Sequence, residues 1–299
     1  MGQMQRPGWM DVSNTVDVTS PREVCAVVRK LMHRNYPDFD WAVLERLFTD
    51  FQRLYDGRYP GYRACDIRYH NSQHVLDVTL AMARLLDGHS RRHGTGQVLE
   101  AELAVAGIVT ALFHDSGYIR RTQEDQHRNG AVYTRIHVSR GACFLAEYLP
   151  EVGLDHLTAI CTRIIHFTGY EQDPEDLVVA SDGERVLGFL LGTADLIAQM
   201  ADIDYARKCR EDLYEEFVAA GLASAGGEDH CDGAIYSSAD QLMRMTPAFI
   251  RNSIRVRLNG YFKGVHRYAA EHFDGRHLYM DAIEENCRSL EAMLADSAG

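Results

Sequence analysis

Three places in the sequence combine ionisable side chains with apolar surroundings, and the first lies over residues 69–78. This segment reads Tyr-His-Asn-Ser-Gln-His-Val-Leu-Asp-Val. Because an α-helix turns once every 3.6 residues, His70 and His74 project from one face, with Asp77 a further turn along. Two such imidazoles can bind one metal, or one can bind a metal while the other transfers a proton. Asp77 can orient His74 by accepting its second N–H. The alternative is a chance surface pair or a helix cap.

The other two places are a His-Asp pair and a single carboxylate, each on a strongly apolar segment. Residues 103–113 are almost all apolar or small and lead directly into His114 and Asp115. Asp195 lies inside the apolar stretch 186–198, with no Lys or Arg within one helical turn. A buried carboxylate without a partner is costly, whereas a bound cation favours its ionised form. The alternatives are that Asp115 caps the next turn and that Asp195 accepts hydrogen bonds from neighbouring helices.

Together these side chains form a set of mixed nitrogen and oxygen metal ligands. Two imidazoles and two carboxylates suit zinc, manganese or iron, with magnesium at a more oxygen-rich neighbouring position. Waters can fill the remaining positions around the metal. His70, one turn before His74, would lie beside the metal without binding it, which is a suitable position for a general acid. The sequence therefore predicts a metal centre built from His74, His114, Asp115 and Asp195.

The elements that position these residues are predicted to be helices throughout. The sequence has only seven prolines, few alternating β-branched runs and no internal repeat, which favours one compact all-α multi-helix bundle over residues 21–299. Residues 1–20 are predicted to form a flexible, polar tail, and the Gly-rich segments 88–97 and 221–233 to form loops. The predicted helices cover residues 21–34, 40–55, 70–87, 98–115, 128–149, 153–168, 183–219, 237–258 with a continuation to 272, and 276–295.

The composition limits which molecules the protein is expected to bind and in which cellular compartment it is expected to lie. The chain has 299 residues, 46% of them hydrophobic, and a formal net charge of −12. This balance disfavours nucleic acids and anionic membranes and leaves a small phosphorylated substrate, for which we expect a nucleotide. The cysteines are scattered without a CxxC pair, which indicates reduced thiols, and the sequence shows neither a signal peptide nor a long apolar run. We therefore expect a soluble cytoplasmic protein, and the sequence does not indicate its oligomeric state.

In the order of its metal-type residues the sequence resembles the HD-domain metal-dependent phosphohydrolases. Their H…HD…D signature is matched by His74, by His114 with Asp115, and by Asp195. The segment Tyr-His-Asn-x-x-His-x-x-Asp-Val is similar to the opening motif of the class I 3′,5′-cyclic nucleotide phosphodiesterases. The resemblance implies a helical phosphodiesterase-like fold in which these four residues hold a tightly bound metal. It also implies that Asp115 bridges to a second metal and that His70 protonates the leaving oxygen.

The sequence also departs from the phosphodiesterase pattern. After the His-Asp pair it reads Ser-Gly-Tyr-Ile over residues 116–119, where those enzymes have a second histidine, a Pro-Gly and an asparagine. The helix after Asp195 lacks their Ser-Asn-Pro, the stretch between Asp115 and Asp195 is shorter, and no glutamine corresponds to the one that reads the nucleotide. The resemblance therefore bears on the metal chemistry more directly than on the substrate.

Other HD branches carry further histidines on the two helices after the His-Asp pair, and two histidines stand in that region here. His137 and His166 are therefore candidates for holding the second metal, and a core or helix-end histidine is the alternative for each. Arginines of the same region can contact phosphate, although solvated positive charge is the simpler role for most of them. These arginines are Arg120, Arg121, Arg135 and Arg140.

These observations lead to three hypotheses about function. The first is a phosphodiesterase that hydrolyses a 3′,5′-cyclic nucleotide through a metal-bound hydroxide, with His70 as the general acid. It would use two divalent ions: zinc, manganese or iron at the tight site, and magnesium or manganese at the second. The next hypothesis is an HD-type nucleotidase or phosphomonoesterase, because the Pro-Gly and Ser-Asn-Pro are missing. The last is a catalytically silent nucleotide-binding module, because no substrate-reading residue is evident.

Overall fold

The computed structural model describes residues 6–94, 99–124, 127–224 and 234–296, and within those ranges it contains helices and turns but no β-strand. The prediction of an all-α fold is confirmed. The helices are α1 (Pro21–Asn35), α2 (Val43–Tyr55), α3 (Ser72–His93), α4 (Ala101–Phe113), α5 (His137–Glu151), α6 (Thr158–Ile164), α7 (Asp182–Ala201), α8 (Tyr205–Lys208), α9 (Tyr214–Ala219), α10 (Ala239–Asn252), α11 (Tyr268–His272) and α12 (Leu278–Asp296). Two π-helical segments, Cys209–Leu213 and Ser253–Tyr261, follow α8 and α10 without a break.

Two long buried helices form the centre of the bundle. α3 packs against α1, α4, α7 and α11, whereas α7 packs against α3, α4, α6 and α12. α4 is apolar on all sides and its residues 104–113 are all buried, as expected for a helix without a polar face. The start of α3, the end of α4 and the middle of α7 therefore meet inside the bundle, and these are the parts of the chain that carry the predicted metal ligands.

Side-chain caps fix where the two central helices begin. At the start of α3, Asn71 Oδ1 accepts a hydrogen bond from the backbone N–H of His74 at 3.1 Å. At the start of α7, Ser181 Oγ accepts one from the backbone N–H of Glu184 at 3.2 Å. Such caps satisfy backbone donors that the first turn of a helix leaves unpaired. His74 thus lies in the first turn of α3, while His70 precedes the helix.

The helix predicted over 183–219 is broken in the structure. α7 ends at Ala201, Asp202 adopts an extended backbone conformation, and the following helical stretch leaves at an angle of 98°. Asn286 holds this bend, because its side-chain amide donates to the carbonyl oxygens of Met200 and Asp202 at 2.8 and 2.7 Å. The bend turns the chain back toward the start of α3, and the apolar pattern of the sequence does not reveal it.

Residues 88–93 are helical, so the predicted loop at 88–97 is wrong over that part. Gly88 serves close packing rather than a turn, because a Cβ atom there would lie 1.7 Å from the backbone oxygen of Tyr268 in α11. Glycine is the residue that permits such an approach between backbones. Residues 95–98, and residues 225–233 of the other predicted loop, lie outside the described residues.

The N-terminal segment packs against the bundle, contrary to the predicted flexible tail. Val16 and Val18 belong to the main apolar core, and Asp11 is buried. Asp11 organises the segment by accepting backbone hydrogen bonds from residues 13, 15 and 16, and it pairs with the buried Arg84 of α3 at 2.6 Å. Over residues 6–20, the polar side chain of Asp11 is therefore used in a buried ion pair and in backbone hydrogen bonds rather than exposed to solvent. Residues 1–5 lie outside the described residues.

Removal of the charge on Asp11 is expected to destabilise the protein strongly. Asp11→Asn leaves the guanidinium of Arg84 buried without a counter-charge, and loss of one partner of a buried pair costs about 3–5 kcal/mol. Urea denaturation measures this change, and the double variant Asp11→Asn/Arg84→Met is expected to recover part of it because it leaves no uncompensated charge. A single-variant loss below about 1 kcal/mol would contradict a structural role for the pair.

The same pair predicts a loss of stability in acid. Burial opposes ionisation of Asp11, but the Arg84 charge and the hydrogen bonds from Ser13 and Thr15 outweigh it and lower its pKa to about 2. The stabilisation is therefore complete above the usual aspartate pKa and is lost as the pH falls from about 4 toward 2.

Among the described helices, none taken singly has the length and apolar character needed to cross a membrane. α7 and the stretch Tyr205–Ala219 satisfy those two criteria only as a bent pair, and α7 is buried over most of its length.

Candidate metal centre and adjoining cavity

The structure brings together the four side chains that the sequence predicts as metal ligands. Ligand atoms of His74, His114 and Asp115 lie within 4.8 Å of one another. Asp115 Oδ2 is 3.1 Å from His114 Nε2 and 3.5 Å from His74 Nε2. Asp195 Oδ1 is 3.5 Å from His74 Nε2 and 3.8 Å from His114 Nε2. Two nitrogens and two carboxylates thus face one small volume, and they reach it from α3, from the end of α4 and from α7.

Two of the ligand atoms of this cluster have no hydrogen-bond partner in the described part of the protein. His114 Nε2 and Asp115 Oδ2 are fully buried yet have no well-aligned hydrogen-bond partner. His114 Nδ1 lies 2.8 Å from the carbonyl oxygen of Ala111, which fixes a proton on Nδ1 and leaves Nε2 as the nitrogen that faces the cluster. Buried polar atoms without partners are rare in proteins. These orphaned atoms therefore fit a divalent metal ion.

Neither alternative role for the two carboxylates is realised. The turn Ser116–Tyr118 that follows Asp115 has no side-chain cap. Over the described ranges, Asp195 accepts no hydrogen bond from a backbone or hydroxyl group, although only 8% of the residue is exposed. Both carboxylates are therefore buried without the partners that a purely structural role requires.

The electrostatics of the cluster keep Asp115 ionised. Burial opposes its charge, but the neighbouring imidazoles, His114 first, hold the pKa of the carboxyl well below its usual range. Burial likewise disfavours the charged form of His114, yet the Asp115 and Asp195 carboxylates raise its pKa to about 9. An excess of negative charge therefore attracts a proton to the cluster, and a metal cation would compete for the same position.

A second pair next to the cluster joins His70 to a residue that the sequence analysis did not identify. His70 Nδ1 lies 2.6 Å from Glu216 Oε2, and Glu216 Oε1 accepts the backbone N–H of Tyr69 at 2.6 Å. Glu216 comes from α9 and is only 4% exposed. Burial lowers the pKa of His70, but the Glu216 carboxylate outweighs it and raises that pKa above the usual value. His70 is thus held by a buried carboxylate in a form that can donate a proton.

The predicted geometry of His70 and His74 is wrong in one respect. His70 lies before the cap residue Asn71, so the two histidines are not on one helical face. Their ring centroids are nevertheless 5.9 Å apart. The contact with Glu216, rather than helical spacing, holds His70 beside the cluster.

Tyr118 and His137 extend the wall on which His70 lies. The Tyr118 ring stacks between the two imidazoles, with centroids 4.5 Å from His70 and 4.4 Å from His137. His137 Nδ1 lies 2.8 Å from the carbonyl oxygen of Thr134, and its Nε2 is 3.8 Å from Asp115 Oδ1. His137 therefore presents its free nitrogen to Oδ1 of Asp115, whereas His74 and His114 face Oδ2 of the same carboxylate.

The approach of His137 depends on a glycine in the segment that departs from the phosphodiesterase pattern. A Cβ atom at Gly117 would lie 1.8 Å from the backbone oxygen of His137. Gly117 thus permits α5 to pack against the turn that follows Asp115. The sequence Ser-Gly-Tyr at 116–118 supplies both this close packing and the ring that separates His70 from His137.

Two of the predicted site residues are placed elsewhere. Within the described residues no hydrogen bond joins Asp77 to His74, so the predicted orienting contact is wrong. Burial and the nearby Asp202 carboxylate raise the pKa of Asp77 to about 7. His166 is half-buried beside Gln172, at 3.3 Å from its amide nitrogen, and is absent from the described lining of the cavity. The suggestion that His166 reaches a second metal is therefore not supported by its position.

A cavity of about 700 Å³ opens directly onto the cluster. His70, His74, Asp115, His137 and Asp195 line its inner end. Its outer part is mainly apolar and aromatic, with the stacked rings of Phe217 and Tyr236 among its walls. This volume lies in the range of sites that bind small organic ligands. The cavity also contains four of the eight large apolar side chains that are exposed in the described chain, namely Tyr170, Ile235, Met245 and Phe249.

Buried Arg257 holds one wall of the cavity in place. Its guanidinium donates to the carbonyl oxygens of Phe167 and Gly169 at 3.2 and 3.0 Å and lies 4.2 Å from the centroid of the Tyr170 ring. A further contact fixes the end of this segment, because Glu171 accepts the backbone N–H groups of residues 138 and 139 at the start of α5. These bonds attach residues 167–171 to the two elements on either side of the site.

Comparison with known proteins defines the fold and the family. Among solved structures, the phosphodiesterase domain of the RhoPDE fusion protein from the choanoflagellate Salpingoeca rosetta is similar, with a TM-score of 0.59 and 16% sequence identity over 99% of this chain and 98% of that one. The protein thus has the all-helical fold of a phosphodiesterase domain. The chain belongs to the Npun_R2479-like family, whose model matches residues 61–259. Comparison with curated proteins gives no match.

Replacement of Glu216 by glutamine is expected to impair His70 without loss of the fold. A neutral amide no longer raises the pKa of His70, so the pKa of this imidazole, followed by NMR titration, should move to a lower value. The neighbouring Glu215 is exposed and provides the matched control Glu215→Gln. An unchanged His70 pKa in Glu216→Gln would contradict this role.

Proposed function

We propose that this protein is an HD-type metal-dependent phosphohydrolase that hydrolyses a 3′,5′-cyclic nucleotide. The observation that carries the proposal is the convergence of His74, His114, Asp115 and Asp195 at the inner end of the cavity, with orphaned donor atoms directed at one point. The His70–Glu216 pair lies in the same wall. A metal-ligand set and a held proton donor in one cavity are the components that hydrolysis of a phosphate ester requires.

The four residues of the cluster would hold one metal ion, and Asp115 with His137 would hold the second. When bound, divalent ions supply charge stabilisation for the phosphate and lower the pKa of water. Zinc, manganese or iron suits the nitrogen-containing set, while magnesium or manganese suits the position beside Asp115. The chain prepares the site because the carbonyl groups of Ala111 and Thr134 orient His114 and His137 with Nε2 free.

His70 is the group that we assign to protonation of the leaving oxygen. Its Nδ1 is engaged by Glu216, so Nε2 is the nitrogen available to the cavity. In the reaction the Nε2 proton passes to the oxygen whose bond to phosphorus breaks. The imidazole then becomes neutral and its Nδ1–H still donates to Glu216. A general acid of this kind typically contributes about 10²- to 10⁴-fold to the rate.

The outer part of the cavity suits the base of a nucleotide. Its apolar and aromatic side chains include Leu242, Met245 and Phe249 on α10 and the stacked pair Phe217 and Tyr236. Flat aromatic rings gain from stacking and from apolar burial on such a surface. A phosphate at the metal cluster and a base against these walls would fill the two ends of one cavity.

A second candidate is a nucleotidase or other phosphomonoesterase, and one observation favours it. Arg135 lines the cavity and is unpaired among the described residues, so the site offers a permanent positive charge in addition to any metal. A phosphate monoester carries more negative charge than a diester and gains more from such a group.

The test is an activity screen of the purified protein loaded with Zn²⁺, Mn²⁺ or Mg²⁺. Turnover of cAMP or cGMP to the 5′-nucleotide supports the first proposal. Release of inorganic phosphate from 5′-nucleotides without diesterase activity would replace it with the second. Nucleotide binding without turnover under any metal would reject both in favour of a silent binding module.

A further inference from the structure

The cavity contains a cation that the proposed proton transfer and metal cluster do not use. Arg135 lies between the turn Gly130–Tyr133 and α5, two residues before His137, and it lines the same cavity as the metal-type residues. Its side chain is exposed, and among the described residues it makes no hydrogen bond, ion pair or ring contact. It is also the one Arg or Lys in the described lining of the cavity.

The other arginines of this region are already engaged. Arg120 pairs with Asp66 at 2.6 Å and Arg121 with Glu147 at 2.7 Å. Arg140 pairs with Glu124 at 3.0 Å and donates to the carbonyl oxygen of Gly117 at 2.8 Å. Of the four arginines considered as phosphate contacts, Arg135 alone combines a free guanidinium with a place in the cavity.

The backbone next to Arg135 cannot replace it as an anion-binding group. The N-terminus of α5 would attract an anion, but the N–H groups of Val138 and Ser139 donate to the Glu171 carboxylate at 2.7 and 3.1 Å. The carboxylates of Asp115, Asp195 and Glu171 further make the lining acidic. Beside the metals and the His70 imidazole, the permanent positive charge that a phosphate meets as it approaches the cluster must therefore come from the Arg135 side chain.

We propose that Arg135 binds a phosphate group of the substrate at the mouth of the metal cluster, an inference that rests on the proposed function for the nature of the substrate. A guanidinium presents parallel N–H groups that match two phosphate oxygens, which the point charge of a lysine cannot reproduce. The phosphate would lie between Arg135 and the face of Asp115 toward which His137 points. Arg135 then sets the affinity for substrate, while His70 acts on the leaving oxygen.

The test compares Arg135→Gln and Arg135→Lys in the metal-loaded protein, with Arg276→Gln as the matched control. Arg276 is an exposed arginine outside the described cavity lining, and its side chain makes no hydrogen bond or ion pair with the described residues. For Arg135→Gln, KM for p-nitrophenyl phosphate or bis(p-nitrophenyl) phosphate should rise about 10- to 100-fold while kcat changes less than about threefold. The inhibition constant of inorganic phosphate should rise by the same factor. Arg135→Lys should recover only part of the loss.

The outcomes separate this inference from the proposed function. A larger KM effect on the monoester assigns Arg135 to a dianionic phosphate, and equal effects assign it to oxygens that both esters share; either supports the inference. Unchanged KM and phosphate inhibition in Arg135→Gln, or equal changes in Arg276→Gln, would overturn it. If neither these esters nor the nucleotides of the activity screen are hydrolysed, the proposed function fails, and calorimetric titration with inorganic phosphate decides. Binding that Arg135→Gln weakens supports the inference, and any other result overturns it.

Discussion

Asp115→Asn is expected to abolish metal binding and to lower the rate of phosphate ester hydrolysis by about 10³-fold or more. Asp115 is 2% exposed and its carboxylate contacts the Nε2 atoms of three histidines, His74, His114 and His137, at 3.1 to 3.8 Å. Asparagine keeps the shape of the side chain but removes its charge and one acceptor oxygen. Charge stabilisation by a bound metal is worth several kcal/mol, and about 4 kcal/mol corresponds to 10³-fold in rate.

Two measurements on wild type and Asp115→Asn test this expectation, namely the metal content of the purified protein and its thermal stability. Wild-type protein should gain Tm on addition of Zn²⁺ or Mn²⁺, because a ligand that binds only the folded state stabilises it, whereas Asp115→Asn should gain none. Asp50 provides the matched control, since it is a buried aspartate that accepts from Tyr148 and Arg53 outside the cluster. Asp50→Asn should lose stability but keep its metal response. Wild-type metal content in Asp115→Asn would remove Asp115 from the ligand set.

The convergence of His74, His114, Asp115 and Asp195 was predictable because its signal does not depend on details of the fold. A carboxylate at the end of an apolar helix, or inside one, needs a partner wherever the helix packs. His114 with Asp115 and the isolated Asp195 carry this signal in sequence. His74 was identified through the resemblance to the phosphodiesterase opening motif, since the helical spacing that paired it with His70 does not hold in the structure. The predicted convergence of α3, α4 and α7 rests on the same reasoning, since helices with such apolar surfaces are buried against each other.

The residues that support the site were not predictable, because tertiary contacts create them. Glu216 lies 146 residues from His70 and reaches it only after the bend at Asp202. Its neighbour Glu215 has the same side chain in the same helix but is exposed, so composition does not tell the two apart. The predicted contact between Asp77 and His74 was wrong for a related reason. Helical spacing gives the direction in which a side chain projects, but it does not say which groups of the folded protein lie in that direction.

The N-terminal segment shows the limit of composition as a guide to order. Residues 6–20 have a largely polar composition, yet one buried carboxylate and two valines in the core hold them against the bundle. The single counter-charge, Arg84, lies in the middle of α3 and is remote in sequence. Polarity therefore predicted exposure, while the structure uses the charge in a buried pair.

His70→Gln is expected to lower hydrolysis of a cyclic nucleotide by about 10²- to 10⁴-fold without loss of metal. His70 contributes no atom to the cluster, and its ring centroid lies 5.9 Å from that of His74. Glutamine can retain a hydrogen bond to Glu216 but cannot transfer a proton. The alkoxide that leaves a ribose is strongly basic and needs this proton, whereas a p-nitrophenolate leaves without one.

The effect of His70→Gln on esters with different leaving groups shows whether His70 transfers a proton or only binds the substrate. In His70→Gln, turnover of bis(p-nitrophenyl) phosphate should fall less than about tenfold, while turnover of the cyclic nucleotide falls by the larger factor. His166→Gln is the matched control, because His166 is a half-buried histidine absent from the described cavity lining. If both esters lose the same factor, His70 positions the substrate or shapes the cavity. A selective loss with the basic leaving group indicates that His70 supplies the proton, which also gives a reason for the buried carboxylate from a distant helix that raises the pKa of that imidazole.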